Sequence, residues 1–348
     1  SLTWEKATTY DLGLDFEAFN GRLNFSADIY RKKTTDMYVV GEELPAVFGN
    51  SAPKGNYADM RTDGWEASLS WRDSHKVAGK TLSYNIKVAV WDNTSKITRY
   101  TAKTGTLPTN YSINYYEGMT LGEMWGYKCD GLFQSDEEAQ TWANYSKFTN
   151  RSATWQAGDP RYLDLNGDGY VNNGNNTIYD HGDLVKIGNT TPRYSYSIQG
   201  GVRWNGIGIS MMWQGVGKRD WYPAKESGYF WGQYGRPYSM ALPWHNSDRW
   251  SPTNRGAYWP RLVGYSASDS GLILAQPNTR YVQDASYIRL KNLTIDYNFP
   301  KELVNKIGLQ ALKIYVSGEN LLTFSPLKKY AKNYDCLLYT SPSPRDTR

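Results

Sequence analysis

Between Asp164 and Asn172 oxygen-bearing groups recur at every second position: Asp164, Asn166, Asp168, the Tyr170 carbonyl and Asn172, with Gly169 at the bend. Hard oxygen ligands spaced this way can curl around a calcium ion, and glycine supplies the positive φ that the curl requires. The position where such a loop ordinarily closes on an acid is Asn175. Without an ion the same residues make an Asx-rich turn. A second set is aromatic. Trp221, Tyr222, Tyr229, Trp231 and Tyr234 lie in one polar stretch and could stack on sugar rings or pack on peptide side chains. The same rings could instead pack loop against loop. His75, His181 and His245 are the three histidines and none has a zinc-type spacing, while Asp136-Glu137-Glu138 reads as solvated loop charge. Nothing resembles a nucleophile elbow, a P-loop or a dinucleotide fingerprint, so the expectation is binding without catalysis.

The elements that must position these residues are strands. From Tyr194 the apolar residues alternate (Tyr194, Tyr196, Ile198, Val202, Trp204) with Ser195, Ser197, Gln199 and Arg203 between them. After Asn205-Gly206 the alternation resumes in Ile207, Ile209, Met211 and Trp213. Asn-Gly between alternating runs is a strong hairpin signal, because both central residues of a type I′ turn need positive φ. Asn20-Gly21 joins Leu12, Leu14 and Phe16 to Leu23, Phe25, Ala27 and Ile29 in the same way, and is predicted to be a second two-residue turn. Further strands are predicted at Trp65 to Trp71, Leu82 to Val90, Tyr287 to Phe299 and Leu312 to Phe324. The apolar phase slips between Leu290 and Leu293, which places a bulge near Lys291-Asn292. Pro300 to Gly308 reads as a helical turn or two.

Connections alternate between short turns and long polar segments, at 32–62, 92–192 and 218–278. That asymmetry fits an antiparallel transmembrane β-barrel with short periplasmic turns and long external loops, in which roughly eight strands each cross the bilayer. The expected lipid face is Leu, Ile, Val, Phe, Tyr and Trp, and the lumen face Ser, Asn, Asp, Lys and Gly. Composition agrees with a β-rich chain: 29 Tyr, 14 Trp, 9 Phe and 32 Gly among 348 residues. No apolar run reaches the ~18 residues of a membrane helix, which says nothing against a barrel, whose strands carry only an alternating signal. The formal charge of +5 is spread without a basic block, which argues against nucleic acid as the main partner. Cys129 and Cys336 give neither a disulfide framework nor a metal spacing.

Several segments carry a specific likeness: Gly158-Asp159 with Asp164-Leu165-Asn166-Gly167-Asp168-Gly169, Ile187-Gly188-Asn189 with Pro192, and Gln214-Gly215-Val216-Gly217. Tyr287-Ile288-Arg289-Leu290-Lys291-Asn292 and Ser317-Gly318-Glu319-Asn320-Leu321 follow. In this order they resemble the C-terminal part of the SusC/RagA family of TonB-dependent outer-membrane receptors, over about Leu2 to Asp335. The resemblance implies part of a barrel of about 22 strands, in the outer membrane of a Gram-negative bacterium and surrounded by its lipid. It implies import of oligosaccharides or peptides beneath a SusD-like surface lipoprotein, driven by the TonB complex through a plug domain that this segment lacks. No cofactor is implied as a requirement. The family places an acid shortly before the Ile-Gly-Asn segment, and Asp183 holds that relation here, so Asp183 is the expected closing ligand of a structural Ca²⁺ loop.

The start, Ser1-Leu2-Thr3-Trp4-Glu5, lies close to a strand and carries no leader, so the chain is expected to begin within a longer protein. Residues 1–335 are read as receptor barrel. Residues 336–348, with two prolines and a basic end, cannot form a ladder strand and are read as a frameshift or read-through tail. The rival reading is a secreted soluble β-sheet protein, a glycan binder or glycosidase, with the same alternation turned toward a packed interior.

Overall fold

A computed structural model describes every residue except 1, 42–46, 48, 50–51, 102–106, 109–113, 143–154, 225–226, 236–239, 264–273, 275 and 332–348. The tail at 336–348 thus lies outside the described residues. Eight long strands form one antiparallel sheet: β1 (Lys6–Ala18), β2 (Leu23–Val40), β3 (Lys54–Val77), β4 (Lys80–Tyr100), β5 (Arg193–Trp204), β6 (Ile207–Lys218), β7 (Tyr287–Asn298) and β8 (Lys313–Phe324). Neighbours in sequence are neighbours in the sheet. No helix among the described residues is long and apolar enough to cross a membrane.

Register turns the alternation of single strands into a property of the whole sheet. One row of directly paired residues runs Phe16, Phe25, Leu69, Val88, Ile198, Trp213, Leu290, Leu322, one from each strand and every one apolar. The row beside it runs Asp15, Ser26, Ser68, Ala89, Ser197, Gln214, Arg289, Thr323. Successive residues point to opposite faces, so one face is greasy and the other polar across the full width. The greasy face is open: Phe16, Leu69 and Leu322 are 54%, 47% and 49% exposed. A soluble sandwich would cover these side chains with a second layer. Here the buried apolar cluster is built mainly from the connections at one end, including Phe133, Tyr162, Trp231, Trp259 and Tyr281. The expected lipid face is thus the face that no second layer covers among the described residues.

The turns follow sequence chemistry with one exception. Asn205 and Gly206 have φ of 48° and 85° and join paired Trp204 and Ile207, as a type I′ turn requires. Ala78 and Gly79 do the same between Val77 and Lys80. The expected two-residue turn at Asn20-Gly21 is instead a connection spanning Phe19 to Arg22, since the last pair is Ala18 with Leu23. Phe19, Asn20 and Gly21 all take positive φ, and the displaced Phe19 ring packs edge-on against Trp71. The bulge predicted near Lys291-Asn292 is present, as a register shift between Leu290 and Asn292. The predicted helical turn is Lys301–Lys306.

The middle strands are longer than their apolar runs. Much of 32–62 belongs to β2 and β3 rather than to a connection, and β4 continues to Tyr100. Cross-strand ion pairs zip these polar extensions: Arg31 with Asp63 at 2.5 Å, and Arg99 with Asp59 through two bonds of 2.7 and 2.8 Å. Aromatic rings also lie flat over glycines of a neighbouring strand, Tyr30 over Gly64 and Tyr196 over Gly215, where a Cβ would collide with the ring.

If the apolar row faces lipid as expected, Leu69→Arg in the intact protein should cost ~2–4 kcal/mol, the penalty of a cation near the bilayer midplane. Ser68→Arg, one residue away on the wet face, should cost far less. Urea midpoints of refolding into lipid vesicles compare the two, and equal penalties would show that the faces are not distinguished by lipid.

Candidate functional site

At the end of the sheet that carries the long connections, side chains from 219–285 close around Trp259. Phe230 and His245 meet its ring edge-on at 5.0 and 4.4 Å, and Tyr281 and Tyr234 stack on it at 5.9 and 6.3 Å. All five are buried. Sequence reasoning treated His245 as one histidine among three. In the fold its Nδ1 accepts from the Leu242 amide at 3.2 Å and its Nε2–H faces the Phe230 carbonyl at 2.7 Å, which fixes a neutral ring. Burial pushes its pKa down to about 4, partly opposed by the Phe230 carbonyl.

The five aromatic residues expected to meet substrate separate into two groups. Trp231 and Tyr234 are fully buried: the Trp231 indole donates to the Pro223 carbonyl and the Tyr234 hydroxyl to the Pro260 carbonyl. Neither presents a ring face to a ligand; both pack loop against loop, and at these positions the substrate-stacking expectation is replaced. Tyr229 is 62% exposed. Trp221 and Tyr222 line a cavity of about 480 Å³ together with Tyr115, Met119, Glu123 and Trp125. Short strands frame it: Glu123–Tyr127 pairs with Leu184–Asn189, and Asp220–Trp221 with Gln283–Asp284. Glu123 is buried there, and it accepts from the Tyr116 hydroxyl, from the Thr120 amide at 3.0 Å and from Lys186 Nζ at 2.8 Å. Burial raises its pKa, but these donors outweigh burial and hold it below the usual carboxylate range. The cavity therefore offers aromatic faces around one ionised carboxylate already engaged by three donors, a lining suited to binding.

The calcium-type loop is drawn together around Asp183, which is fully buried. Its Oδ1 accepts from Leu165 N at 2.6 Å and its Oδ2 from Asn172 N at 2.9 Å, so this acid does reach the loop from outside it. Asp164 accepts from the Gly167 and Gly169 amides at 2.7 and 2.8 Å, and Asp168 from Tyr170 N at 2.8 Å. Asn166 accepts from Asp168 N at 3.0 Å and Asn172 from Gly174 N at 2.7 Å. The bonds of Asn166, Asp168 and Asn172 to amides two residues on are Asx turns, Asp164 caps amides three and five residues on, and Asp168 also accepts from the Asn166 side chain at 3.2 Å. Among the described residues no three His, Cys, Asp or Glu side chains gather closely enough to hold a metal ion. The loop is thus ordered by its own amides, with lone pairs left over on most of the oxygens.

Two ion pairs that the sequence did not single out as such set the whole assembly on the sheet. Arg193 grips Asp92 through bonds of 2.7 and 2.6 Å, tying the first residue of β5, where the longest connection returns to the sheet, to the middle of β4. Arg261 grips fully buried Asp159 at 2.6 and 3.2 Å, joining that connection to the next one. Burial raises the Asp159 pKa, and Arg261 offsets part of the rise. Asp159 sits in a Gly-Asp pair visible in the sequence, but its partner lies 102 residues away and nothing local marks it.

No protein-family model matches the chain. It is 27% identical over 335 residues to TonB-dependent receptor P3 of Formosa agariphila, an alignment covering 93% of this chain and 30% of that protein. It is 24% identical over 182 residues to TonB-dependent receptor SusC of Bacteroides thetaiotaomicron, covering 51% of this chain and 17% of that protein. Among solved structures, the RagAB peptide transporter superposes with a TM-score of 0.67 at 20% identity, over 93% of this chain and 32% of that one. The chain spans about 30% of the length of the first of these curated relatives.

Acidification tests the buried imidazole. The folded pKa of about 4 lies below the ordinary 6.5. The unfolded state therefore takes up a proton first, and stability falls as pH drops from about 6.5 to about 4, by roughly 3 kcal/mol in all. Proteolysis of the external loops of the intact receptor should speed up between pH 7 and pH 4.5, and His245→Gln should be cut faster than wild type at pH 7 yet lose that pH dependence. An unchanged pH dependence in the variant would remove His245 from the account.

Proposed function

Because the chain belongs to the SusC/RagA family of TonB-dependent receptors, we propose that it forms lumen wall and external loops of an outer-membrane importer of oligosaccharides or peptides. The observation that carries this reading is the paired-row architecture: an all-apolar row, exposed at Phe16, Leu69 and Leu322, beside a polar one, with the packed aromatic core built mainly at the end bearing the long connections. A sheet of this kind is stable in lipid and aggregation-prone outside it. The relatives carry receptor and transporter names, in keeping with a role limited to binding and passage. Substrate is proposed to be captured under a SusD-like surface lipoprotein and released by the TonB complex acting through a plug.

Within this reading the cavity beside Trp221 and Tyr222 is the part of the chain proposed to touch substrate, since it gathers four aromatic rings, Tyr115, Trp125, Trp221 and Tyr222, around one hollow. Deleting the intact gene should abolish uptake of one labelled oligosaccharide or oligopeptide pool. Restoring it with Trp221→Ala should weaken binding of that substrate roughly three- to tenfold, as expected for loss of one aromatic contact. Uptake unaffected by the deletion would reject the importer reading; full affinity in Trp221→Ala would reject the cavity.

A structural Ca²⁺ at Asp164, Asn166, Asp168, the Tyr170 carbonyl, Asn172 and Asp183 is a separate proposal. It rests on the oxygen-only donor set, and the ion would brace a loop that its amides already shape. Calorimetry of the intact receptor should show calcium-specific heat that Asp168→Asn weakens. No heat in the wild type would leave a self-sufficient Asx-turn loop.

A further inference from the structure

The outward face of the sheet changes character abruptly above the apolar band. Three successive outward-facing rows, read toward the long-loop end, are Leu12, Ile29, Trp65, Asp92; then Tyr10, Arg31, Asp63, Thr94; then Thr8, Lys33, Arg61, Lys96. Arg31, Lys33, Arg61 and Lys96 therefore share the face that elsewhere carries Leu, Ile and Trp. The acids nearby are accounted for. Asp63 is shared by Arg31 at 2.5 Å and Arg61 at 2.9 Å, Asp92 is held by Arg193, and Asp36 and Asp59 further out are held by Arg99. Four cations thus face one shared carboxylate, and Lys33 and Lys96 make no ion pair among the described residues.

The first two rows, with Lys33 of the third, line a groove of about 660 Å³. Its lower end is lined by Leu12, Ile29 and Trp65 and its upper end by Arg31 and Lys33, with Tyr10 between them. Lys33 Nζ sits 5.9 Å from the centre of the Tyr10 ring, which holds the cation over the groove. The slot is apolar where the hydrocarbon would be, aromatic at the interface and cationic where headgroups would lie. Arginine and lysine side by side match phosphate oxygens, the one as a fork and the other as a point charge.

We propose that this outward groove binds a phosphorylated, acylated lipid of the surrounding leaflet, its phosphate against Arg31 and Lys33 and a chain along Leu12, Ile29 and Trp65. Such a lipid would pin the β1–β4 wall in depth, beside the point where Arg193 of β5 holds Asp92 of β4. The inference rests on the barrel reading of the strands, and the same sample reports on both.

The test uses delipidated intact receptor in detergent, titrated with diphosphoryl lipid A and read by native mass spectrometry, with heat-modifiable gel migration recording the barrel. Wild type should bind, and Arg31→Gln/Lys33→Gln should bind ~10-fold more weakly while keeping the heat shift. Lys32→Gln, on the adjacent lumen-facing position, should bind as wild type does. Dephosphorylated lipid A should bind the wild type as weakly as the diphosphoryl form binds the double variant. If the double variant loses its heat shift, the single variants Arg31→Gln and Lys33→Gln make the same comparison. Equal binding by wild type and variants would overturn the proposal, as would equal binding of the dephosphorylated lipid. Full displacement of the lipid by millimolar inorganic phosphate would reassign the groove to a free anion and also overturn it. A wild type without any heat shift would instead contradict the barrel.

Discussion

Everything in this structure depends on the ladder register that keeps eight alternating strands in phase. Backbone amides and carbonyls in a bilayer must be paired within the protein, so a strand crosses only as part of a continuous ladder. Pairing also fixes faces: slipping β3 by one residue would send Ser68 and Ser70 to the lipid side and Ala67 and Leu69 to the lumen. The observed register instead gives an unbroken apolar row from Phe16 to Leu322, even across β7, where one bulge restores the phase that the β7 sequence alone would lose. The bulge is therefore part of what makes the outer face continuous.

A second division runs along the strands. Apolar outward positions end near Trp65, and the same strands continue as polar ribbons held by Arg31, Asp63, Arg99 and Asp59. Ion pairs exposed to water on a surface contribute little each, but here they align strands already joined by backbone bonds. At the level of Trp65, Arg193 ties the start of β5 to Asp92 of β4, and further out Asp159 with Arg261 joins the longest connection to its neighbour. The aromatic core around Trp259 then fills the space between connections. Long loops thus form a packed body, and the rings that do so are withdrawn from contact with any ligand.

How much of this was legible in the sequence depended on how local its cause was. Alternation in Tyr194 to Trp213, the Asn205-Gly206 turn and the Leu290 to Leu293 phase slip depend on residues a few positions apart, and the fold contains all three. The turn after Ala18 was misread because Phe19 takes positive φ and leaves the strand early, a choice linked to its contact with distant Trp71. The polar arms of β2, β3 and β4 were missed because their stabilising partners lie across strands. The aromatic residues show the limit most clearly: Trp221 and Trp231 are alike in sequence context, yet one lines a cavity and the other is enclosed by Phe230, Trp259 and Tyr281. Asp183 was reachable through the family resemblance, whereas its role in collecting loop amides was visible only in the fold.

The most direct test of the central claim is site-directed spin labelling of the intact receptor in lipid vesicles, one label at a time from Glu66 to Trp71. The account predicts strict alternation: labels at positions 67, 69 and 71 relaxed by oxygen and shielded from a water-soluble nickel chelate, and labels at 66, 68 and 70 the reverse. Uniform accessibility along the strand, or oxygen-protected labels at 67, 69 and 71, would contradict a lipid-facing apolar row.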